Sequence, residues 1–334
     1  LFRSALEKLA EMVLVPFVVE DCMGILQLFS DGSIFRAEKF EFPFMVYEDS
    51  SVVFKDCLFD HQNNLHLRLY KPAPSSPGHK LPVIMFLHGG GFCVGSREWP
   101  HINSFCVKLS SSHQALVVAP DYRLAPEHKL PAAIDDGMTA MRWLQAQALN
   151  GEYGDEWLTG NDVDLERVFV MGDSSGGNIA HHLAARLRSG SKDLSPVRVR
   201  GFVLVAPFFG GEARTESEEG PCEEMLSLEM LDRFWRLSMP DGATRDHPYA
   251  NPFGEGSLDL ENAPLDPILV ISGGDELLRD RAREYARRMK EMGKEVEFAE
   301  FEGQQHGFLT KFPCSRQGEE AFSLVTQFII KNSR

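Results

Sequence analysis

Arg167-Val-Phe-Val-Met-Gly-Asp-Ser-Ser-Gly-Gly-Asn-Ile-Ala-His181 is the stretch whose reading decides the fold. Val168 to Met171 form a short apolar, β-favouring run that leads directly into Gly172-Asp173-Ser174-Ser175-Gly176. Beyond it, Ile179, Leu183 and Leu187 stand at the i, i+4, i+8 spacing of one helix face. Strand, Gly-x-Ser-x-Gly turn and helix in that order make an elbow that lifts a serine hydroxyl above a sheet. Glycine is needed two residues before and two after the serine, because a side chain at either place would meet the neighbouring strand or helix. Only Ser174 has both; Ser175 would need a glycine where Asp173 stands. Ser174 is therefore the candidate nucleophile.

Outward from this turn the chain alternates. Val83–Leu87, Leu116–Ala119, Val168–Met171, Phe202–Ala206 and Ile268–Ile271 are continuous apolar runs, the pattern of strands buried on both faces of a parallel sheet. Val296–Phe301 alternates and reads as the last strand. Helical patterns fall at about 131–149, 175–189, 279–292 and 319–331. Residues 51–59 and 65–70 alternate apolar and polar around Asp60-His-Gln-Asn-Asn64, which predicts an antiparallel hairpin. The expectation is an α/β fold with eight strands, two from the hairpin and six after it, mostly parallel and flanked by helices. About 210–262 breaks the alternation with an acidic loop, Glu212–Glu224, and a helical pattern, Met225–Leu237; an insertion after a strand's C-terminal end is where a cap or lid would sit. Residues 1–48 carry no clear sheet pattern, although Leu6, Leu9, Ala10 and Val13 are spaced for an amphipathic helix. They are read as an N-terminal cap segment preceding a catalytic domain at 49–334.

Composition removes several classes of function. A net charge of −15 argues against nucleic acid or anionic membrane as a partner. No apolar run approaches the roughly 20 residues of a membrane span, and the segment 12–19 lacks the flanks of a secretory signal. Six cysteines without C-x-x-C spacing suggest free thiols in a reducing compartment. A cytoplasmic location, with the nucleus as a further possibility, follows. A monomer or weak homodimer is the prior expectation, which composition does not decide.

A serine nucleophile needs donors for a developing oxyanion, a base and an acid. His88-Gly-Gly-Gly-Phe92 follows the strand 83–87, and its glycines let backbone N–H groups face a ligand. Gly90 and Gly91, with the N–H of Ser175 after the nucleophile, are the candidate oxyanion hole. Neither Gly-Lys-Ser/Thr nor G-x-G-x-x-G is present, which disfavours a phosphate loop. The trypsin-like pattern Gly-Asp-Ser-Gly-Gly is also disfavoured: a second serine breaks its spacing, and a helix follows. The base should come last in the chain, after the last strand, where His306 stands. His88 would fix the oxyanion loop, and His181 and His182 are surface or packing residues of the helix behind the elbow. Exposure is expected for His61, His66, His79, His101, His113, His128 and His247. No histidine pair has metal-ligand spacing with a carboxylate, so neither metal nor cofactor is expected. The acid should follow the strand 268–271, where Asp275, Glu276 and Asp280 stand. Asp280 is better placed to cap or to pair with Arg279 or Arg283, and Asp275 and Glu276 both suit the role.

Taken together, His88-Gly-Gly-Gly-Phe-Cys-Val-Gly95, Asp121-Tyr-Arg-Leu-Ala-Pro-Glu127, Leu130-Pro-Ala-Ala133, Gly172-Asp-Ser-Ser-Gly-Gly177, Leu277-Leu-Arg-Asp280 and His306-Gly-Phe308 resemble the plant carboxylesterases. These are α/β-hydrolases of the hormone-sensitive-lipase-like branch. Asp21–Gly24, Asn64–Pro72, Phe208–Glu212 and Phe234–Leu237 look like the carboxylesterase-15-like group, which is associated with strigolactone inactivation. The resemblance implies an α/β-hydrolase fold and a serine esterase acting on small hydrophobic esters or lactones. The family usually reads Asp-Leu-Leu-Arg-Asp, with the first aspartate catalytic; counting back from Asp280 reaches Glu276, which implies a glutamate in that role and Asp275 as the alternative. Phe92, Phe208 and Phe209, with Phe234 and Trp235, are candidates for an apolar substrate wall. Two other readings from the family stand beside this one: a hormone receptor of the gibberellin-receptor type with residual hydrolase activity, although those receptors lack the catalytic histidine, and a non-hydrolytic alkaloid cyclase or dehydratase.

Overall fold

The computed structural model describes residues 15–37, 46–73, 80–160, 162–224 and 226–333. The chain forms two compact units, Leu1–Phe40 and Glu41–Arg334. The first contains an antiparallel sheet of β1 (Val18–Cys22), β2 (Leu26–Phe29) and β3 (Ile34–Arg36). This corrects the reading of 1–48 as lacking sheet. The strands are three to five residues long and bury little beyond Cys22, Ile25 and Leu26, so no alternation accumulates along them. The helix expected from Leu6 to Val13 lies outside the described residues.

The second unit holds an eight-stranded sheet of order β11-β10-β9-β8-β6-β7-β5-β4. The hairpin is β4 (Val52–Asp60) and β5 (Leu65–Pro72), and β5 pairs antiparallel with β7 (Leu116–Pro120). β6 (Leu81–Leu87), β8 (Val163–Asp173), β9 (Val199–Val205), β10 (Ile268–Gly273) and β11 (Val296–Phe301) continue in parallel pairs. Every residue of β6, β7 and β10 is buried, as their unbroken apolar runs require. The helices are α1 (Pro100–His113), α2 (Ala132–Asn150), α3 (Glu156–Thr159), α4 (Ser175–Leu187), α5 (Leu228–Ser238), α6 (Arg279–Glu291), α7 (Phe308–Lys311) and α8 (Arg316–Asn332).

Alternate residues serve the two faces of the sheet. Ile84, Phe86, Phe169, Met171, Val203 and Leu269 share one core with Phe105 of α1 and with Phe322 and Phe328 of α8. Each such side chain contributes about 1.5–3 kcal/mol on burial. The intervening residues point to the opposite face, where α4 packs on β8 and β9 and meets α2, with Ile179 close against Gly137. Sequence periodicity does not reveal α1, because polar Ser104, Ser110 and His113 are among its buried residues. Ser110 Oγ donates to the Ala115 carbonyl at 2.9 Å, Ser104 Oγ donates to the Tyr47 carbonyl at 3.2 Å, and His113 Nδ1 lies 2.9 Å from Thr326 Oγ1 of α8. His113 is thus buried, not exposed as expected, and burial pushes its pKa down to about 4. His79 falls outside the described residues.

The Asp121-Tyr-Arg123 segment after β7 braces the end of β6. Tyr122 donates to the His88 carbonyl at 2.9 Å and stacks on the His88 ring, with centroids 4.3 Å apart. Arg123 grips buried Asp136 of α2 with Nε and Nη2, and its backbone N–H adds a third contact at 2.8 Å. Asp136 is buried while Arg123 is a quarter exposed, so losing the carboxylate removes charge-assisted hydrogen bonds and leaves a partly hydrated guanidinium. Asp136→Ala is expected to cost about 2 kcal/mol in urea unfolding, while Asp135→Ala, at a largely exposed pair, should cost less than about 1 kcal/mol.

Candidate active site

β8 ends at Asp173 and α4 begins at Ser175, which leaves Ser174 alone at the corner with φ 55° and ψ −115°. That conformation costs a non-glycine residue about 1–3 kcal/mol and persists only where the surroundings impose it. Here they do. Ser174 N–H donates to the Val205 carbonyl at 2.8 Å, and Ser174 O accepts from Phe208 N–H at 2.9 Å and Asn178 N–H at 3.1 Å. A Cβ on Gly172 would lie 2.0 Å from the Gly176 carbonyl oxygen, and one on Gly176 would lie 2.0 Å from that of Leu87. The two flanking glycines are thus forced by contact with β6 and α4.

His306 follows β11, and its Nε2 lies 3.0 Å from Ser174 Oγ. Its Nδ1 lies 3.0 Å from Glu276 Oε2. Glu276 is 2% exposed. Its other oxygen, Oε1, accepts from the Ser272 hydroxyl and from Gly273 N–H, which tie the carboxylate to the end of β10. Asp275 is exposed, with its backbone N–H on the Gln304 carbonyl at 3.0 Å. The structure therefore brings Ser174, His306 and Glu276 together and leaves Asp275 outside. Asp280 pairs with Arg279 at 3.0 Å and Arg283 at 3.6 Å.

Burial opposes charge on the imidazole, but the Glu276 hydrogen bond and charge, with Glu223 and Asp173 nearby, outweigh it and hold the His306 pKa above its ordinary value. Burial pushes Asp173 up to about 6 against the pull of His306 and Lys311. With Nδ1–H donating to a carboxylate, Nε2 presents its lone pair to the serine. The arrangement can take a proton from Ser174 and stabilise the resulting imidazolium.

The glycine loop after β6 passes beside the corner: a Cβ on Gly89 would lie 3.2 Å from that of Ser174. Gly90 and Gly91 follow with φ of 123° and 59°. Ser175 is the first residue of α4, where an N–H has no intrahelical acceptor. The Phe234 ring sits on Gly91, within 2.3 Å of where a Cβ would be, so α5 presses on this loop. Phe92 and Phe208 are buried in one aromatic cluster with Phe234 and Trp235; Phe208 stacks on Trp235 at 4.0 Å. Phe209 lies elsewhere, against His181 and Tyr285 behind the elbow. His181 and His182 are buried packing residues.

Sequence reasoning missed several residues around this site. Buried Glu223 accepts from the His306 backbone N–H at 2.6 Å and from Leu277 N–H at 2.7 Å. Lys311 donates to the His306 carbonyl at 2.7 Å. No local pattern could have marked Glu223, which stands among six glutamates between 212 and 224.

The sheet order, the serine corner after β8 and the histidine after β11 that meets it define an α/β-hydrolase. The chain matches the family described as the alpha/beta hydrolase fold over residues 84–310 and that described as the carboxylesterase family over 33–128. Carboxylesterase 20 of Arabidopsis thaliana is 37% identical over 274 residues, 79% of this chain and 82% of that one. The 3-O-acetylpapaveroxine carboxylesterase CXE1 of Papaver somniferum is 36% identical, over 79% and 84% of the two chains. The gibberellin receptor GID1C of Arabidopsis thaliana is 35% identical, over 76% and 74%. Among solved structures, the Pyrobaculum calidifontis esterase aligns with a TM-score of 0.69 and 30% identity, covering 84% of this chain and 85% of that one. EstE1, a thermostable carboxylesterase from a metagenomic library, gives a TM-score of 0.70 and 30% identity, over 88% and 92%. The chain belongs to the carboxylesterase family of α/β-hydrolases, with plant carboxylesterases among its relatives, and is a carboxylic ester hydrolase. No helix among the described residues is long and apolar enough to cross a membrane.

Proton transfer from Ser174 to His306 requires a neutral imidazole, so ester turnover by that route should fall as pH drops through the His306 pKa. Because that pKa is raised, the acidic limb of kcat/KM is expected above the ordinary histidine value of 6.5. Initial rates on a short p-nitrophenyl ester across pH 5–9 measure it.

Proposed function

We propose that the protein is a serine carboxylesterase of small hydrophobic esters or lactones working through an acyl-enzyme. Ser174 Oγ attacks the carbonyl carbon while His306 Nε2 takes its proton, and Glu276 holds the imidazole in the productive tautomer. Backbone N–H groups of Gly90, Gly91 and Ser175 receive the oxyanion. The C–O bond to the leaving alcohol then breaks, and His306 returns the proton to that oxygen. Water, activated by His306, hydrolyses the acyl-serine and restores the enzyme. The observation that carries this reading is the unbroken relay of two 3.0 Å contacts from Ser174 through His306 to Glu276. No metal or cofactor is required for this cycle.

The group-specific motifs around 21–24, 64–72, 208–212 and 234–237 support a plant-hormone ester as substrate, with butenolide-bearing strigolactones foremost and inactivation as the outcome. We place the enzyme in the cytoplasm as a monomer or weak homodimer. Similarity to gibberellin receptors favours a second reading, a hormone receptor with residual hydrolase activity; the histidine within 3.0 Å of the serine favours hydrolysis as the main activity.

An organophosphonate should add to Ser174, as seen by intact-protein mass spectrometry, and short p-nitrophenyl esters should turn over. If neither occurs, the hydrolase mechanism is wrong. Glu276→Gln should lower kcat by about 10³–10⁴, whereas Asp275→Asn should leave it within about twofold. The reverse ranking would move the acid to Asp275. A strigolactone analogue that survives incubation while esters are cleaved would overturn only the hormone assignment.

A further inference from the structure

We infer that Glu223, on the acidic loop after β9, is a positioning residue that holds the base-bearing and acid-bearing loops in register. This rests on the relay proposed above. Its two carboxylate oxygens are divided between two backbone donors. Oε2 accepts from the N–H of His306 itself at 2.6 Å, and Oε1 accepts from the N–H of Leu277, which follows Glu276, at 2.7 Å. The side chain is buried. One carboxylate thus joins the loop after β11 to the loop after β10, at residues identical or adjacent to the base and acid.

The chemistry of the two donors restricts what can stand here. Both N–H groups aim at the carboxyl, so only an acceptor-only group satisfies both. Glutamine would keep the shape but turn an NH2 donor toward one of them. Contacts to an ionised acceptor are also about twice as strong as neutral ones. The loop that delivers Glu223 is itself latched to the acid-bearing loop. Ser217 Oγ donates to the Leu277 carbonyl at 2.8 Å, Ser217 N–H donates to Asp280 at 2.8 Å, and buried Glu218 pairs with Arg281 at 2.9 Å. The Glu223 carboxylate is therefore held from its own side as well.

Its negative charge also faces the imidazole. The other charged groups around His306 are Glu276 from the loop after β10, Asp173 at the end of β8, and Lys311 of α7, whose ammonium also senses Glu224. Glu223 acts with Glu276 and Asp173 to favour the imidazolium, and Lys311 opposes them. Neutralising Glu223 makes His306 harder to protonate, so the neutral base survives to lower pH.

The experiment compares unlabelled wild type, Glu223→Gln and Glu223→Asp with a short p-nitrophenyl ester across pH, with a separate wild-type sample tested for phosphonate labelling at Ser174. For Glu223→Gln, kcat is expected to fall by about tenfold or more with KM changed less than about twofold, and the acidic limb to move to lower pH. Glu223→Asp keeps the charge and loses reach, so its acidic limb should stay in place while kcat lies between the other two. A Glu223→Gln enzyme with wild-type kcat and an unmoved limb overturns the proposal. So does one that only melts at lower temperature. Should Glu223→Gln fail to fold, Glu223→Asp decides: reduced kcat with an unmoved limb supports the role, and wild-type kcat overturns it. Wild-type protein that neither labels at Ser174 nor cleaves the ester defeats the underlying relay instead.

Discussion

The corner at Ser174 has no spare volume, and the rest of the site depends on that. The Gly172 Cα faces the Gly176 carbonyl, and the Gly176 Cα faces that of Leu87, so β6, β8 and the first turn of α4 meet at backbone distance. This contact puts the loop after β6 beside the serine and turns the N-terminal end of α4 toward the same point. It also forces Ser174 to positive φ, a strain that three backbone hydrogen bonds hold in place. Packing alone fixes where the Ser174 hydroxyl stands.

Charge then sets the relay. Ser272 and Gly273 fix one oxygen of Glu276 to the strand from which it emerges, so only the other is left for His306. The acidic loop 212–224 belongs to this arrangement and is not merely a solvated fringe. Ser217, Glu218 and Glu223 are buried, with their polar groups on the acid- and base-bearing loops. The net charge of −15 therefore includes carboxylates that do structural service at the site.

How legible each part was follows from how local its cause is. Parallel strands are read from continuous apolar runs, and the elbow from glycines at fixed spacing, because both constraints lie within a few residues. The eight strands of the large sheet were accordingly foreseen. α1 was not, because Ser104, Ser110 and His113 are among its buried residues and interrupt its apolar stripe. The small sheet β1–β3 was not, because strands so short carry too few buried positions. Ser174, His306 and Glu276 were legible as candidates through motif order, and the register with Asp280 separated Glu276 from Asp275. The Glu223 bridge spans 54 residues to Leu277 and 83 to His306, a distance over which a single chain offers no periodicity to read. Phe209 was misjudged for a related reason: adjacent residues leaving a strand point to different sides, so it packs behind the elbow while Phe208 joins the cluster at Trp235.

The glutamate at 276 follows from the geometry of the loop that carries it. Its carboxylate must reach forward to the imidazole while one oxygen stays on Ser272 and Gly273, residues that precede it in the chain. A side chain that folds back toward its own strand and still presents an oxygen at 3.0 Å from Nδ1 uses both methylenes. An aspartate at this backbone position would have to release the strand end or retreat from the ring. The glutamate at 276 and the path of its loop are therefore a single structural choice, and Leu277, next in sequence, donates its N–H to Glu223 at 2.7 Å.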